Sequence, residues 1–517
     1  MLGWLKPAAT ADHPLADARA AKIIVDNLAA QNASQALESL SDQLEGLRDA
    51  VGLKAQRGFE IIDLVDSAAK PFQRKLSQEF VGIPSLGKAQ GTRITHVMAG
   101  FWRRLSDAYR LLLEMHEAGD PSAVALRPNL GTIAARALRA ANLHLKWRLF
   151  RYSLVSPEFW MNVGRIYSIA ERHGAAADKT MVYPGTWGES SVERELLKLL
   201  ALSVSSTDSL PPIQVEIAER VCAQFSEFFT LQKQASTGCH FWFDLSAAKA
   251  PARLADRLTL SHTMRFFGPA GAAFEVEKLS AAIRENGVVP STVNLGADYP
   301  VDLVLQTLRH LARYWAPQPP ARKEARAASD GRIDVVHGLA DVLVAVEGDV
   351  VELEDFDRRM QTWPIANESA GGFGAVAPPA RTDWLEIGTL LGVKYEDGAA
   401  WGVGLVRRIS LDNHGNRYVG IEMFARGVTT VRLMPLLADG SAHPDDELGT
   451  DALLLPSAVD HSLSRLEVNL VLKTGLFAPS RSYGMRMYGC RYLLVPRRLI
   501  EAGQDFDIAE FRVLQRS

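Results

Sequence analysis

The chain has 517 residues, of which 47% are hydrophobic and 23% charged, with 39 glycines, 25 prolines and three cysteines. This composition is typical of a folded chain with more than one domain, and it excludes disordered and collagen-like proteins. Cys222, Cys239 and Cys490 cannot form a disulfide framework or a thiolate zinc site, which favours a reducing compartment. The net charge of −3 gives no global attraction for nucleic acid polymers or an anionic membrane. An anionic ligand must therefore be held by local arginines.

The amino terminus lacks the features of a signal peptide, because no apolar run follows a basic segment and Pro7 comes early. Elsewhere no window approaches about eighteen uninterrupted apolar residues, the length that predicts a membrane span. We therefore expect a cytoplasmic protein without a membrane span.

From about residue 17 to residue 315, apolar residues recur every three or four positions, which is the period of a helix. Helix starts are indicated by Ser190 with Glu193 three residues later, and by Pro212. One predicted helix carries an apolar stripe of Phe101, Trp102, Leu105, Tyr109, Leu112 and Met115, and its polar residues Arg103, Arg104, Asp107, Arg110 and Glu114 are expected to face away. These patterns predict an all-α domain of helical hairpins over residues 1–315.

Cys239 and His240 are neighbours of the two types that bind metals. Adjacent residues of a strand point to opposite faces, so the two side chains would not converge on one ion. We predict a buried strand over 239–244 and no metal site.

The peptide Ala316-Pro-Gln-Pro-Pro320 ends the last predicted helix and starts a stiff linker, which we place at 316–331. After it the hydrophobic period changes to two, as in Leu339 to Val346 and in Val419, Ile421 and Met423. A turn is indicated at 412–416. Short alternating strands joined by turns predict a small antiparallel β-barrel over residues 332–440.

The final part, residues 441–517, is also predicted to be rich in strands, with a short helix near Arg497 to Glu501. It either extends the barrel or forms a second sheet. The predicted fold class is therefore multidomain α+β: an N-terminal helical domain, an antiparallel barrel and a β-rich C-terminal extension.

Two motifs lie where the helical period gives way to strands. Arg322 and Arg326 form an RxxxR pattern, and Asn367, Ser369 and Gly372 form a [D/N]xSxxG pattern 41 residues after the second arginine. The guanidinium of arginine bonds phosphate oxygens bidentately and stacks on flat bases. Asparagine offers a donor and an acceptor to a guanine edge, serine offers a hydroxyl, and glycine lets the ligand approach the backbone. The pair of motifs therefore indicates a clamp for a cyclic dinucleotide.

On these residues, the segment from about 320 to 440 resembles a PilZ domain, the bacterial receptor module for cyclic di-GMP. The segments Gly404 to Arg408 and Tyr418 to Phe424 are similar to the closing strands of that fold. The resemblance implies a six-stranded antiparallel barrel whose N-terminal linker folds over the nucleotide. It also implies that Arg322 and Arg326 grip phosphate and guanine, and that Asn367 and Ser369 hold the other side.

The sequence departs from the family pattern in two places and leaves alternatives open. The strand motif begins with Asn367 rather than the commoner Asp, a variant that the family allows. The spacing between the motifs is long, and the excess lies in an insertion over 348–363 whose carboxylates would oppose an anionic ligand if they faced the site: Glu352, Glu354, Asp355 and Asp357. Arg358 and Arg359 are alternative binding arginines. A solvated linker and a plain glycine turn would explain the same motifs without a ligand.

Motifs of enzymes are missing from the sequence, which has no P-loop, HExxH or GxSxG pattern. His414, His443 and His461 are isolated. We therefore predict no catalytic residues, no metal and no cofactor beyond the ligand cyclic di-GMP.

The predicted function is a cyclic di-GMP-binding signalling effector, in which the nucleotide is clamped between the linker and the barrel and the signal passes to the helical domain. We expect that domain to contact a protein partner. The alternative is a helical scaffold or adaptor with a degenerate, non-binding barrel. An enzyme without short motifs is a weaker third possibility.

Overall fold

A computed structural model describes residues 13–50, 52–82, 87–185, 188–255, 258–318, 320, 326–348, 359–379, 382–396, 398–412, 415–436, 449–456, 467–487 and 490–516. The chain divides into two compact units, Met1–Ala321 and Arg322–Ser517. Within the described ranges, no helix combines the length and the apolar character that crossing a membrane requires.

The first unit is built mainly from helices. They are α1 (Ala18–Asn27), α2 (Ala33–Gly46), α3 (Ala55–Gly82), α4 (Lys88–Glu117), α5 (Leu130–Leu149), α6 (Pro157–Arg172), α7 (Val192–Ser203), α8 (Pro212–Gln224), α9 (Ala270–Asn286) and α10 (Val301–Trp315). Short 3-10 segments lie at Pro14–Ala16, Leu28–Ala30, Pro121–Asn129, Thr207–Ser209 and Ser226–Phe228. The predicted helical region is confirmed.

Two small antiparallel sheets interrupt the helices of this unit. One pairs β1 (Thr180–Met181) with β2 (Glu189–Ser190). The other has the order β3-β6-β4-β5 and consists of β3 (Thr230–Gln232), β4 (Phe241–Asp244), β5 (Ala252–Arg253) and β6 (Met264–Gly268). Strand β4 confirms the predicted buried strand after Cys239, whose side chain is buried.

The apolar stripe predicted for residues 101–115 lies on α4, where Phe101, Leu105 and Tyr109 are buried in the core. Two details of the sequence prediction are wrong. Arg110 does not face solvent but is buried, since its guanidinium is neutralised by Glu114 and Asp107. The N-cap of α7 is Ser191 rather than Ser190, because the Ser191 side chain accepts a hydrogen bond from the backbone of Arg194.

The second unit contains one helix and thirteen strands among its described residues. They are β7 (Ala327–Ala328), β8 (Arg332–His337), α11 (Leu339–Glu347), β9 (Gln361–Ser369), β10 (Gly372–Ala377), β11 (Leu390–Tyr395), β12 (Gly402–Leu411), β13 (Arg417–Ala425), β14 (Thr429–Pro435), β15 (Thr450–Leu455), β16 (Glu467–Lys473), β17 (Tyr483–Met487), β18 (Cys490–Ala502) and β19 (Phe506–Arg516).

These strands form two antiparallel barrels. In the first barrel the order is β10-β13-β12-β11-β8-β9, and the pairing of β9 with β10 closes a ring of six strands. The short strand β7 pairs with β9 from outside this ring. In the second barrel the closed order is β14-β15-β16-β19-β18-β17. The predicted six-stranded antiparallel barrel is confirmed, and the last strands form a barrel of their own rather than an extension of the first.

Two segments have a different secondary structure from the one predicted. Residues 339–346 are helical, because Leu339, Val342 and Ala345 form one buried face and the Asp505 carboxylate accepts the hydrogen bond of the first amide at 2.7 Å. A short run in which Asp341 is the one polar residue has no clear period, which explains the error. Residues 497–501 are not helical but continue β18, which pairs with β19 through three register shifts.

The supposed insertion over 348–363 is shorter than predicted. Gly348 ends α11, and β9 already starts at Gln361 and carries Trp363 into the core. The four acidic residues of the insertion, together with Arg358, lie outside the described residues.

Helix α11 joins the two barrels. Its buried face packs against Leu390 and Val403 of the first barrel and against Leu453 and Phe506 of the second. Arg407 of β12 adds a bidentate ion pair with Glu501 of β18. The second barrel also has its own core, which includes Leu433, Leu470, Tyr483 and Phe511.

Candidate functional site

A β-bulge in β9 turns Asn367 and Ser369 to the outer face of the first barrel. Asn367 pairs with Gly374 and Ile365 with Ala375, so that Ala366 is an extra residue with no partner on β10. Residues paired directly across two strands share a face. Ile365 and Ala375 are buried and point inward, and Asn367 therefore points outward. Without the bulge, the alternation of the strand would place Asn367 on the inner face with Ile365.

Glycines clear the surface beneath these side chains. A Cβ atom at position 374 would lie 2.7 Å from Oδ1 of Asn367. At position 372 a Cβ atom would overlap the carbonyl oxygen of Ile421 on β13. Ser369 donates a hydrogen bond from Oγ to the carbonyl oxygen of Gly372 at 3.4 Å, which links the two ends of the turn between β9 and β10.

Arg326 reaches the same face from the segment before β7. Its Nη1 atom donates to Oδ1 of Asn367 at 3.0 Å. The backbone position of this arginine is determined by β7, in which Ala327 and Ala328 pair with Glu368 and Asn367. The structure therefore brings Arg326, Asn367, Ser369 and Gly372 together on one face. Arg322 lies outside the described residues.

The outer row that begins at Asn367 continues across the sheet. Gly374 pairs with Gly420 of β13, and Gly420 pairs with Arg408 of β12. Gly374 and Gly420 thus leave a flat strip of backbone, defined by these two glycines. The strip lies between the Asn367 side chain on one edge and the exposed Arg408 on the other. Tyr418, which is 44% exposed, lies two residues before Gly420 on the same face.

An inner cluster lies behind this face. Glu368 pairs with Phe373 and therefore points inward, where it accepts a hydrogen bond from the Tyr395 hydroxyl. Arg426 donates to the Tyr395 hydroxyl at 2.7 Å and to the carbonyl oxygen of Ser369 at 2.9 Å, and its guanidinium lies 5.3 Å from the centre of the Phe373 ring. Burial and the hydrogen bond to Glu368 raise the pKa of Tyr395. The cluster stabilises the turn that carries Ser369.

The sequence motifs did not identify Glu368, Tyr395 or Arg426, since these residues belong to no short pattern. The position of Arg426 could have indicated a role in the site. This arginine follows directly after the apolar end of β13, and an exposed arginine there does not contribute to the core. The alternative arginine Arg359 forms an ion pair with Asp341 of α11 at 2.7 Å. In the described part of the chain, no group of acidic, histidine or cysteine side chains has the arrangement of a metal site.

Comparison with known proteins adds two family matches. Residues 19–236 match the model described as the N-terminal domain of the cyclic-di-GMP receptor FimW, and residues 352–429 match its middle PilZ domain. Together the matched ranges cover more than half of the 517 residues. The chain belongs to the FimW family. A search of the curated proteins finds no match.

Membership of the FimW family confirms the PilZ resemblance and identifies the helical half, which the sequence patterns left unassigned, as a domain of the same receptor family. The PilZ match includes Asn367, Ser369 and Gly372, whereas Arg326 and β7 precede it.

Proposed function

We propose that the chain is a cyclic di-GMP receptor that binds the nucleotide on the outer face of the first barrel. The observation that carries this proposal is the hydrogen bond between Arg326 and Asn367, because it joins the arginine motif to the strand motif. An arginine, an amide and a hydroxyl meet over a surface that glycines keep open. The family match supports the choice of ligand.

Nucleotide binding replaces the bond between Arg326 and Asn367 in this proposal. A phosphate oxygen carries charge and is a stronger acceptor for guanidinium than the amide oxygen of Asn367. Released from Arg326, the Asn367 amide offers one donor and one acceptor to a guanine edge. The Ser369 hydroxyl keeps acceptor capacity for a second contact. We assign the remaining phosphate or base contact to Arg322, as the family resemblance implies.

The flat strip at Gly374 and Gly420 suits the planar base. Because a base lying on the strip would reach the edge of β12, the exposed Arg408 guanidinium is a further candidate contact.

The proposed signal passes through residues 316–331. Arg326 lies within this segment, and helix α10 ends at Trp315, just before it. Binding would fix Arg322 and Arg326 against the barrel and change the orientation of the helical domain, residues 1–315, towards a protein partner. The role is non-catalytic and, since Cys222, Cys239 and Cys490 are free thiols, cytoplasmic.

Isothermal titration of the full chain with cyclic di-GMP tests the proposal. Each charge-assisted contact contributes about 1.5 to 3 kcal/mol, so the double variant Arg322→Ala and Arg326→Ala should bind roughly two to four decades more weakly. Arg332→Ala is the matched control, because it removes an exposed arginine of the same unit that lies outside the site.

Saturable binding that the double variant leaves unchanged would contradict the assignment of the arginines. A complete lack of heat with the wild-type chain would favour the adaptor with a degenerate barrel.

A further inference from the structure

The helical unit contains a cavity that the proposed nucleotide site does not use. It has a volume of about 240 Å³ and lies among α4, α5 and the first turns of α6. Pockets for drug-sized ligands are usually larger, from about 300 Å³ upwards. The cavity therefore suits a ligand smaller than a nucleotide.

One side of the cavity is basic. Arg48, Arg103 and Arg110 all line it. Among the described residues, neither Arg48 nor Arg103 has a carboxylate within 4 Å of its guanidinium nitrogens. Both are exposed at the rim, where a charge without a partner is available to a ligand.

Arg110 lies at the base of the cavity and is only 9% exposed. Its Nη1 and Nη2 atoms pair with Glu114 at 2.6 Å and Asp107 at 3.2 Å, but its buried Nε atom has no partner among the described residues. A buried donor without an acceptor destabilises the fold. An acceptor atom within the cavity would remove this destabilisation.

Further arginines lie near this side. Burial lowers the pKa of Arg148, which is near the end of α5, and the charges of Arg151 and Arg103 add to this effect. Repulsion between neighbouring arginines favours the binding of an anion.

The N-terminus of α6 also faces the cavity. Ser156, the N-cap, and Phe159 and Asn162 of the first turns line it. A helix N-terminus carries partial positive charge and amide donors that suit an anion. The opposing charges are Glu158, an exposed residue of the same turn, and Asp107, which also lines the cavity and pairs with Arg110.

Apolar side chains also line the cavity. Ala141, Phe159, Val163 and Ile166 line it, and the ring of Phe159 lies 5.6 Å from that of His144. His144 donates from Nδ1 to the carbonyl oxygen of Ala99 at 2.8 Å. Burial lowers the pKa of His144 to about 4, so the imidazole is neutral at pH 7 and adds no charge to the cavity.

We propose that this cavity binds a small aromatic molecule that carries one oxyanion group. The anion lies between Arg48, Arg103 and the start of α6, and the ring lies against Phe159. Both a phosphate and a carboxylate satisfy this chemistry, and the ligand is distinct from cyclic di-GMP.

Equilibrium dialysis of the full chain with phenyl phosphate and with benzoate tests the proposal, using phenol and inorganic phosphate as partial ligands. We expect one saturable site for at least one of the two aromatic anions, no binding of phenol, and binding of inorganic phosphate at least about tenfold weaker. Phenyl phosphate and benzoate together distinguish a phosphate from a carboxylate ligand.

The double variant Arg48→Ala and Arg103→Ala should weaken binding of the aromatic anion at least about tenfold. Arg93→Ala is the control, since Arg93 lies on the same helix and pairs with Glu38 at 3.7 Å, away from the cavity. Thermal unfolding of each variant verifies that the fold is intact. Arg326→Ala should bind the aromatic anion like the wild type, which separates this site from the nucleotide site.

Failure of both aromatic anions to saturate below about 10 mM would overturn the proposal. An equal loss of affinity in Arg93→Ala and in the double variant would also overturn it, because it would indicate general charge attraction. If inorganic phosphate bound as tightly as phenyl phosphate, the proposal that the ligand carries an aromatic ring would be overturned.

Discussion

The two barrels of the second unit have the same number of strands and both are closed, yet within the described part of the chain the candidate site lies on the first. Its strands contain six glycines, at positions 372, 374, 392, 402, 404 and 420, whereas those of the second contain only Gly484. In the first barrel, glycines underlie the outward Asn367. The second barrel has register shifts of its own in β18, but they lie beside charged pairs with β19.

This difference shows that a closed barrel is not sufficient for a binding site. The site depends on a bulge that turns two polar side chains outward, on glycines that clear the surface, and on an arginine held by β7. Both barrels pack part of their surface against α11, so this contact does not distinguish them. Substitutions of the same kind in the first and in the second barrel test this explanation.

Gly372→Ala should have the largest effect. The new Cβ atom would overlap the carbonyl oxygen of Ile421, so β10 must move away from β13. We expect a loss of about 2 to 4 kcal/mol in the free energy of unfolding and at least about hundredfold weaker binding of cyclic di-GMP. Chemical denaturation and titration calorimetry measure the two effects.

Gly484→Ala is the matched control in the second barrel. The nearest atom to its new Cβ would be Cδ2 of Leu436 at 3.6 Å, an ordinary contact. We expect the free energy of unfolding to change by less than about 1 kcal/mol and the binding of cyclic di-GMP to stay unaltered. Similar destabilisation by both substitutions would show that the glycines of the first barrel have no special role.

Asn367→Ala should have the second largest effect. It removes the acceptor of Arg326 and the amide proposed to contact guanine, without adding volume. We expect roughly ten- to hundredfold weaker binding by calorimetry, with the thermal midpoint little changed. Asn469→Ala is the control, because Asn469 is an exposed residue on β16 of the second barrel. Equal affinity of the two variants would contradict the assignment of Asn367.

Arg426→Lys tests the inner cluster. Lysine keeps the charge but loses the planar fork that contacts the Tyr395 hydroxyl and the Ser369 carbonyl together. We expect a loss of about 1 kcal/mol in stability and about threefold weaker binding, because the turn bearing Ser369 becomes less well positioned. A variant with normal stability and affinity would show that the cluster does not support the site.

The pH dependence of Tyr395 should give the smallest effect. Because its pKa is raised in the folded state, the folded chain keeps this phenol protonated where the unfolded chain ionises. Its contribution to stability is therefore complete below the ordinary tyrosine pKa of about 10 and is lost as the pH rises through the folded-state pKa. In Tyr395→Phe this alkaline loss should be smaller than in the wild type, as measured by denaturation at several pH values. An identical alkaline loss would contradict the assignment.

The sequence was sufficient for the helical half, the change of period near residue 320 and the two motifs. It could not predict the bulge at Ala366, since the face on which Asn367 lies depends on register with β10 rather than on local pattern. For the same reason the sequence could not predict the strip formed by Gly374 and Gly420, because these residues become neighbours only through the pairing of β10 with β13. The helix over 339–347 was mistaken for a strand because its packing against two barrels, and not its period, determines its conformation. Glu368, Tyr395 and Arg426 come from three distant segments, which no local motif joins.

Hydrogen–deuterium exchange of the full chain with and without cyclic di-GMP shows which barrel carries the nucleotide site, because it observes both barrels in one experiment. We expect ligand-dependent protection at residues 326–328 and 367–374, and unchanged exchange in β16 and β19 of the second barrel. Protection confined to the second barrel, or unchanged exchange at 326–328 and 367–374 under saturating ligand, would contradict it.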